Sequence, residues 1–414
     1  MNLLTYALTI NIILFPFEGL SIFGLPIVRT TGYLVILVFF LKILLSPSQD
    51  LNIKKAHIYF YLVINLLIIL SLLNDNSINY AGLIISIGMI ANLTFFIIFV
   101  NQVDHPSLFK KIFLPLCLSF IIATVLSIFF GSSIGSTEMV DTEDIAVFGI
   151  VEKSYRLEGF LNNPNRYAYL ALIVFWIGVL FNKFKLTSQK LSLFIIFFAS
   201  ISVFFTLSRA AIVGLVVGYI YLFLTSTNKI AFSIFATIGL SFFISINSLI
   251  LPSNSEESYF ENLIQRFDRS TLTDSNSSIS RKTKWISAIE EIDKKPLQGS
   301  PMGAFDKKRA QNGYKIHDPH NAYLFLWQYL GIGGLILIIT FFSWIFLLLI
   351  SKNHSFLVKA YVVGITSSIG IFNVFHNGLT WKATLLMFCI IVCLKHFSKM
   401  SYLEFNNQKQ TTLS

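Results

Sequence analysis

Long apolar runs separated by short polar stretches dominate the chain from its third residue onward. A membrane-spanning helix needs about 20 mostly apolar residues, and on that scale the sequence predicts about twelve spans. The N-terminal run lacks the basic segment and cleavage site of a signal peptide, so we expect it to be retained as the first span. The pattern predicts an all-α polytopic membrane protein with predicted span centres at residues 10, 37, 65, 90, 121, 173, 199, 217, 240, 337, 366 and 389.

The composition agrees with a membrane protein. Of the 414 residues, 55% are hydrophobic and 13% are charged, whereas about a quarter of a soluble chain is charged. The net charge of +10 therefore bears on membrane topology, and we expect no nucleic-acid partner. Cys117, Cys389 and Cys393 all lie in apolar runs, so the sequence predicts neither a disulfide framework nor a thiolate metal site.

One apolar run, at residues 191–224, contains a single charge, Arg209. The run is about 34 residues long, which is too long for one span, so we predict two short spans that meet at Arg209. An arginine between two apolar helices usually faces a cavity or a functional partner. The alternative is that Arg209 snorkels to the nearby membrane surface.

The two basic residue types are distributed unequally across the predicted membrane. With the N-terminus inside, the short inner loops carry lysine and the outer loops carry most acids, which predicts that both termini are cytoplasmic. Guanidinium groups bind phosphate or carboxylate through two parallel hydrogen bonds, so we expect an outward-facing anion site. The alternative explanation of this distribution is that an AT-rich gene favours lysine codons. That would explain the lysines on the inner side but not the clustering of arginines on the outer side. All eight arginines fall on the outer side in this topology, at positions 29, 156, 166, 209, 266, 269, 281 and 309.

Two outer segments are long enough to carry chemistry, near residues 131–166 and at residues 251–321. We expect residues 1–250 to form spans one to nine, residues 251–321 a large, partly helical outer loop, and residues 322–414 spans ten to twelve with a cytoplasmic tail. Gly and Pro in residues 296–303 predict an irregular turn after a helix that lies on the membrane domain. That helix is predicted from the helical spacing of Trp285, Ala288, Ile289 and Ile292.

The larger outer segment ends in His317-Asp318-Pro319-His320-Asn321, directly before the tenth span. A histidine at the outer edge of a span lies where water meets a shielded cavity. Its ordinary pKa near ~6.5 suits it to accept a proton from a hydroxyl at neutral pH. The alternative is an interfacial helix cap that involves Asp318 or Asn321. No third ligand besides Asp318 is close in sequence to the two histidines, so we predict no metal site.

The smaller outer segment closes with two short motifs. The first motif contains Arg156, three residues before a Gly-Phe pair. The second motif is Asn-Pro-Asn-Arg, which ends at Arg166. Asn-Pro-Asn is a turn signal before a helix, which predicts Asn165 as the cap of the sixth span. Arg156 and Arg166 flank that turn and are candidates for binding one anion.

Four stretches of the chain together resemble the O-antigen ligase and polymerase superfamily, integral membrane glycosyltransferases of bacterial surface-polysaccharide assembly. The resemblance covers roughly residues 150 to 350. It rests on residues 156–165, on Ser208-Arg209 between two spans, on Arg281 with Trp285 and residues 296–303, and on His320-Asn321-Ala322-Tyr323-Leu324 leading to Gly331-Ile332-Gly333-Gly334.

The resemblance implies that the protein transfers a glycan from undecaprenyl diphosphate at the periplasmic face of the bacterial inner membrane. By motif it implies that Arg209 and Arg281, with Arg156, bind the diphosphate and that His320 is the catalytic base. It implies a single displacement with inversion that needs neither metal nor cofactor. The implied partners are an undecaprenyl-diphosphate-linked oligosaccharide, an acceptor glycan or lipid A-core, and a chain-length regulator protein. Supporting roles are implied for Arg166, Asn165, His317 and Asn321, with His317 as the alternative base.

The superfamily divides by acceptor, and two other protein classes compete with it. A polymerase extends a lipid-linked repeat unit, which the Phe- and Ile-rich, lysine-biased composition favours, and a ligase delivering the chain to lipid A-core is the alternative. A flippase or transporter also has twelve spans, but it tends to place ionisable residues near the bilayer midplane and often has repeated halves. The predicted spans of this chain contain few ionisable residues. A metal-dependent glycosyltransferase would need an early outer carboxylate pair, and residues 21–30 contain no acid.

Overall fold

The computed structural model shows a helical bundle and describes residues 3–22, 25–45, 55–73, 80–102, 106–130, 157–161, 163–225, 276–300, 319–351, 356–376, 386–387 and 389–394. Between α1 and α2, strands β1 (Ser21–Ile22) and β2 (Leu25–Pro26) pair antiparallel. The predicted all-α fold is confirmed apart from this short ribbon. The helices are α1 (Leu3–Ile13), α2 (Ile27–Leu45), α3 (Lys55–Leu73), α4 (Tyr80–Gln102), α5 (Pro106–Phe130), α6 (Pro164–Lys183), α7 (Gln189–Phe205), α8 (Arg209–Thr225), α9 (Asn276–Lys294), α10 (Ala322–Ile350) and α11 (Phe356–Phe375).

The predicted span centres agree with these helices. All of them fall in helical residues except the centre at residue 240, which lies outside the described residues. One span is shorter than predicted, because α1 has 11 residues and is about 16 Å long against about 30 Å of hydrocarbon. Within the described part of the chain, four stretches are long and apolar enough to cross a membrane: Leu108–Ile128, Pro164–Lys183, Ala322–Ile350 and Val358–Phe375.

Helix α6 lies at the centre of the bundle. Nearly every side chain from Tyr167 to Phe181 is buried, as expected for a helix that is apolar on all faces. Gly178 lets α7 pack closely, because a Cβ there would lie 2.9 Å from a methyl carbon of Ile195. The outward faces of several other helices remain apolar, which is what contact with lipid requires. Examples of exposed side chains on those faces are Leu44, Leu45, Leu62, Leu66, Phe346 and Leu347.

Helices α8 and α11 run antiparallel in close contact. Ser368 Oγ donates a hydrogen bond of 2.7 Å to Gly214 O, and further along the pair Gly364 lies against Tyr221. Small residues at such an interface let two backbones approach. Residue numbers increase along α8 in the direction in which they decrease along α11. Arg209, the first residue of α8, therefore lies at the end of the pair where α11 ends.

Helix α9 lies on α10, so the predicted helix in the larger outer segment is confirmed. Ala288 and Ile292 are buried, and Trp285 is half-buried. The sequence prediction was wrong about Ile289, which is 47% exposed. The buried stripe instead continues one turn toward the N-terminus through Lys284, which is only 8% exposed.

Helix α10 does not run straight into the tenth span as the sequence suggested. Gly331 has φ 55° and ψ −138°, which breaks the helix sharply. The rings of Tyr323 and Phe342 lie 6.0 Å apart, although a straight helix would separate these residues by about 28 Å. Residues 322–330 therefore fold back along the helix, and residues 332–350, about 28 Å long, suffice to span the hydrocarbon.

The turn that follows α9 packs directly on this bend. Ser300 N donates to Gln328 O at 2.6 Å, and Ile332 N donates to Leu297 O at 3.1 Å. These bonds pair backbone groups that a broken helix leaves without helical partners. Gly299, with φ 74°, lies so close that a Cβ there would be 2.6 Å from Gly331 N. The turn after α9 and the bend at Gly331 therefore form one unit.

Replacing Gly331 with alanine is expected to lower stability by at least about 1–3 kcal/mol, because a side chain at positive φ is strained. Its Cβ would also collide with Leu297 O. Thermal unfolding of the purified protein in detergent measures the loss. Gly88→Ala is the matched control, since nothing lies within 4 Å of a Cβ at that helical glycine. A Gly331→Ala protein as stable as Gly88→Ala would contradict the tight bend.

Candidate functional site

Arg209 follows a strained hinge, and the predicted division of the long apolar run at this residue is confirmed. Helix α7 ends at Phe205 and α8 begins at Arg209. Between them Leu207 is buried at φ 51°, a conformation that costs a branched side chain energy and often marks functional sites. Ser208 is 2% exposed, and its hydroxyl has no hydrogen-bond partner among the described residues.

The end of the smaller outer segment is tied to this hinge. Leu157 N donates to Phe205 O at 2.9 Å, and Gly159 at φ 56° lies against the ring of Tyr167, where a Cβ would not fit. Arg156 itself lies outside the described residues. This hydrogen bond places Leu157 beside the hinge.

The predicted cap of the sixth span was wrong by two residues. Asn163, not Asn165, caps α6, because its Oδ1 accepts from Asn165 N at 2.9 Å and from Arg166 N at 3.1 Å. Asn163 has the extended backbone that a capping residue needs, whereas Asn165 already lies in the first helical turn after Pro164. Arg166 is half-buried in that same turn.

His320 lies immediately before the folded-back segment of α10. Asn321 is the cap of this helix, since its Oδ1 accepts from Tyr323 N at 2.9 Å and from Leu324 N at 3.0 Å. Of the two residues considered as a helix cap in this stretch, Asp318 and Asn321, it is Asn321 that caps the helix. His320 has φ 50° and is half-buried. His320 therefore lies just outside the regular helix, directly before its cap.

A second histidine, His376, lies beside His320, and the sequence analysis missed it. The two ring centres are 6.4 Å apart. His376 follows α11 directly, is 6% exposed and stacks on Phe372 with ring centres 4.8 Å apart. The signal that identified His320, a histidine at the outer end of a predicted span, applies equally to His376. It was missed because it lies in no motif of the resemblance.

Helix α9 also contacts the end of α11, beside His376. The ring centre of Trp285 lies 6.2 Å from that of Phe375, the residue before His376. Arg281 lies in α9 one helical turn before Trp285. The buried Lys284 on this helix was also missed, because a lysine in a polar outer segment gives no sign that it will be buried. Helix α9 thus brings two basic positions to the end of α11.

The structure therefore gathers residues that are far apart in the sequence. His320 and His376 are adjacent, α9 carries the Arg281 position to the end of α11, and the antiparallel packing of α8 on α11 brings Arg209 to that end. His317 lies outside the described residues. Within the residues described, no three His, Cys, Asp or Glu side chains lie close enough together to hold a metal ion.

Residues 194–339 match the family described as O-antigen ligase. This region is about a third of the chain and includes Arg209, Arg281 and His320, but neither Arg156 nor Arg166. The match confirms the resemblance to the O-antigen ligase and polymerase superfamily. It supports a ligase- or polymerase-type function, and it suggests a glycosyltransferase-like enzyme in a multi-pass membrane protein. No curated protein matches the chain.

Proposed function

We propose that this protein polymerises a surface polysaccharide by transferring a glycan from undecaprenyl diphosphate to a lipid-linked repeat unit at the periplasmic face. The observation that carries the proposal is the meeting of the hinge at Arg209, helix α9 and His320 at the end of α11. All three belong to the region that matches the O-antigen ligase family. Cations and a proton acceptor are the groups that transfer from a lipid diphosphate requires.

In the proposed reaction His320 takes the proton from the acceptor hydroxyl while its oxygen attacks the anomeric carbon of the donor sugar. The bond from that carbon to the phosphate oxygen breaks on the opposite face, so the configuration inverts. The electron pair leaves with undecaprenyl diphosphate. Arg209 and Arg281, with Arg156, bind the diphosphate and stabilise the charge that grows on it as the bond breaks. No metal ion or cofactor takes part.

The proposed orientation places this site at the periplasmic side of the bacterial inner membrane and both termini in the cytoplasm. Lysine-bearing short loops on the opposite side support it through the positive-inside rule. The large outer segment that contains α9 is on the side of the site, as delivery of a glycan from the outer leaflet requires. A chain-length regulator is a further proposed partner.

The acceptor separates the polymerase from its alternative, a ligase that transfers the glycan to lipid A-core. The family match supports a ligase- and a polymerase-type function alike, and the lysine-biased, Phe- and Ile-rich composition favours the polymerase. A flippase is less well supported, because the predicted spans contain few ionisable residues.

Deletion of the gene is expected to leave lipid A-core that carries a single repeat unit, because the ligation step remains while chain extension is lost. Gel electrophoresis of the extracted polysaccharide displays this pattern as a single step above the core. Bare core with accumulated lipid-linked chains would instead identify a ligase. An unchanged ladder would contradict both assignments. Complementation with the intact gene is the control that attributes the pattern to this chain.

A further inference from the structure

We infer that His376 is a positioning residue for glycan transfer, which hydrogen-bonds the same hydroxyl oxygen as His320 and directs its proton toward His320. The inference rests on the proposed function and adds to it a residue outside the matched region at 194–339. His376 is a buried polar side chain that the proposed reaction does not otherwise use.

The spacing of the two rings carries the inference. With ring centres 6.4 Å apart, and each nitrogen about 1 Å from its ring centre, the nitrogens stay at least about 4 Å apart, beyond the about 3.2 Å limit of a direct hydrogen bond. One oxygen that bonds both nitrogens at about 2.8 Å bridges separations up to about 5.6 Å. One hydroxyl oxygen therefore fits between the rings when one nitrogen of each ring faces the other.

The His376 ring is held by aromatic packing. It stacks on Phe372 at an angle of 28°, and Phe372 is fully buried, with its ring centre 4.7 Å from that of Tyr169 on α6. The central helix thus supports Phe372, and Phe372 supports His376. A ring held by buried neighbours presents its nitrogens in a constant direction, which is what positioning a reactive group requires.

The hydroxyl between the rings belongs either to the acceptor sugar or to a water that orients His320. In the first case the His376 N–H donates to the acceptor oxygen, whose own proton then points at His320. That proton passes to His320 as the bond to the anomeric carbon forms and the bond to the diphosphate breaks. In the second case the water links the rings and holds His320. His376 forms and breaks no covalent bond in either case.

A variant series separates hydrogen bonding from packing at this residue. His376→Phe and His376→Leu remove the nitrogens, and the phenyl ring preserves the stacking on Phe372, whereas His376→Gln provides an amide donor without the ring. We expect kcat to fall about 10- to 100-fold in the Phe and Leu variants, the range lost with one hydrogen bond near a charged centre. The Gln variant should stay within about tenfold of wild type.

Initial rates are measured with the full chain in nanodiscs, using undecaprenyl-diphosphate-linked repeat units extracted from the strain that carries the gene. A rise in the acceptor KM of the Phe variant assigns the oxygen to the acceptor, and an unchanged KM assigns it to water. Either pattern supports the inference. Wild-type kcat in the Phe variant, or a Gln variant slower than the Phe variant, overturns it, since packing alone then matters.

Melting temperature and membrane yield are recorded for every variant, and the Leu and Gln pair decides the outcome if the Phe variant does not fold. His320→Asn is assayed in parallel to separate the two levels of the hypothesis. Loss of activity in His320→Asn together with full activity in His376→Phe would overturn only the role of His376. Full activity in His320→Asn would overturn the role of His320 as the base in the proposed reaction, and with it the positioning role of His376.

Discussion

Replacing His320 with alanine is expected to lower the rate of glycan transfer by about 10²- to 10⁴-fold, the contribution of a positioned general base. Without an imidazole, the acceptor hydroxyl would have to lose its proton to solvent while it attacks. Membrane insertion should be unaffected, because Asn321, not His320, caps α10. The measurement is kcat of the purified protein, checked by a complementation assay scored by the polysaccharide ladder.

A matched variant separates chemistry from backbone strain at this position. His320 has φ 50°, where alanine is disfavoured but asparagine is tolerated. His320→Asn therefore keeps the local conformation and removes only the base, and we expect it to be as inactive as His320→Ala. Recovery of activity in His320→Asn would show that the alanine variant fails through its backbone, and the base would then have to be sought elsewhere, with His317 the first alternative.

Replacing Arg209 with lysine is expected to lower transfer by about 10²- to 10³-fold, similar to the loss of one donor that stabilises a developing charge. Lysine keeps the positive charge but presents a point charge, whereas the guanidinium binds two phosphate oxygens with a planar fork. Steady-state rates against donor concentration measure the effect.

Arg29 offers the matched control for this substitution. It lies in α2, is exposed and is also assigned to the outer side, so Arg29→Lys should retain wild-type rates if the effect is specific to the hinge. Equal activity of Arg209→Lys and Arg29→Lys would mean that charge alone suffices at the hinge, or that Arg209 only snorkels to the membrane surface. Arg209→Ala then distinguishes these two outcomes, since only the first predicts further loss.

Several local features were predictable because their causes are local. The division at Arg209 follows from one charge within an apolar run that is too long for one span, and the structure has its hinge there. Helix α9 follows from apolar spacing at Trp285, Ala288 and Ile292. The cap of α6 was harder, since two asparagines flank Pro164 and only the backbone shows that Asn163 is the one with extended geometry.

Burial and bending were less predictable because they depend on distant partners. Helical spacing marked Ile289 as part of the apolar face of α9, but the neighbouring α10 covers the stripe of Ala288 and Ile292 and leaves Ile289 exposed. The glycines at 331, 333 and 334 belonged to one of the motifs of the resemblance, but nothing in that motif showed that the helix bends at Gly331. The turn at Gly299 stabilises that bend, since it supplies backbone partners on both sides of Gly331.

The sequence by itself determined that this is a helical membrane protein, where most of its helices lie and which basic residues and histidine are candidates for the site. Those properties follow from hydropathy, bilayer thickness and the chemistry of single side chains. Only the tertiary structure decided that α10 folds back at Gly331 and that His376 stands beside His320. Such features arise from contacts between residues remote in the chain, and no local pattern encodes which backbone will pair with a broken helix or which ring will stack behind another.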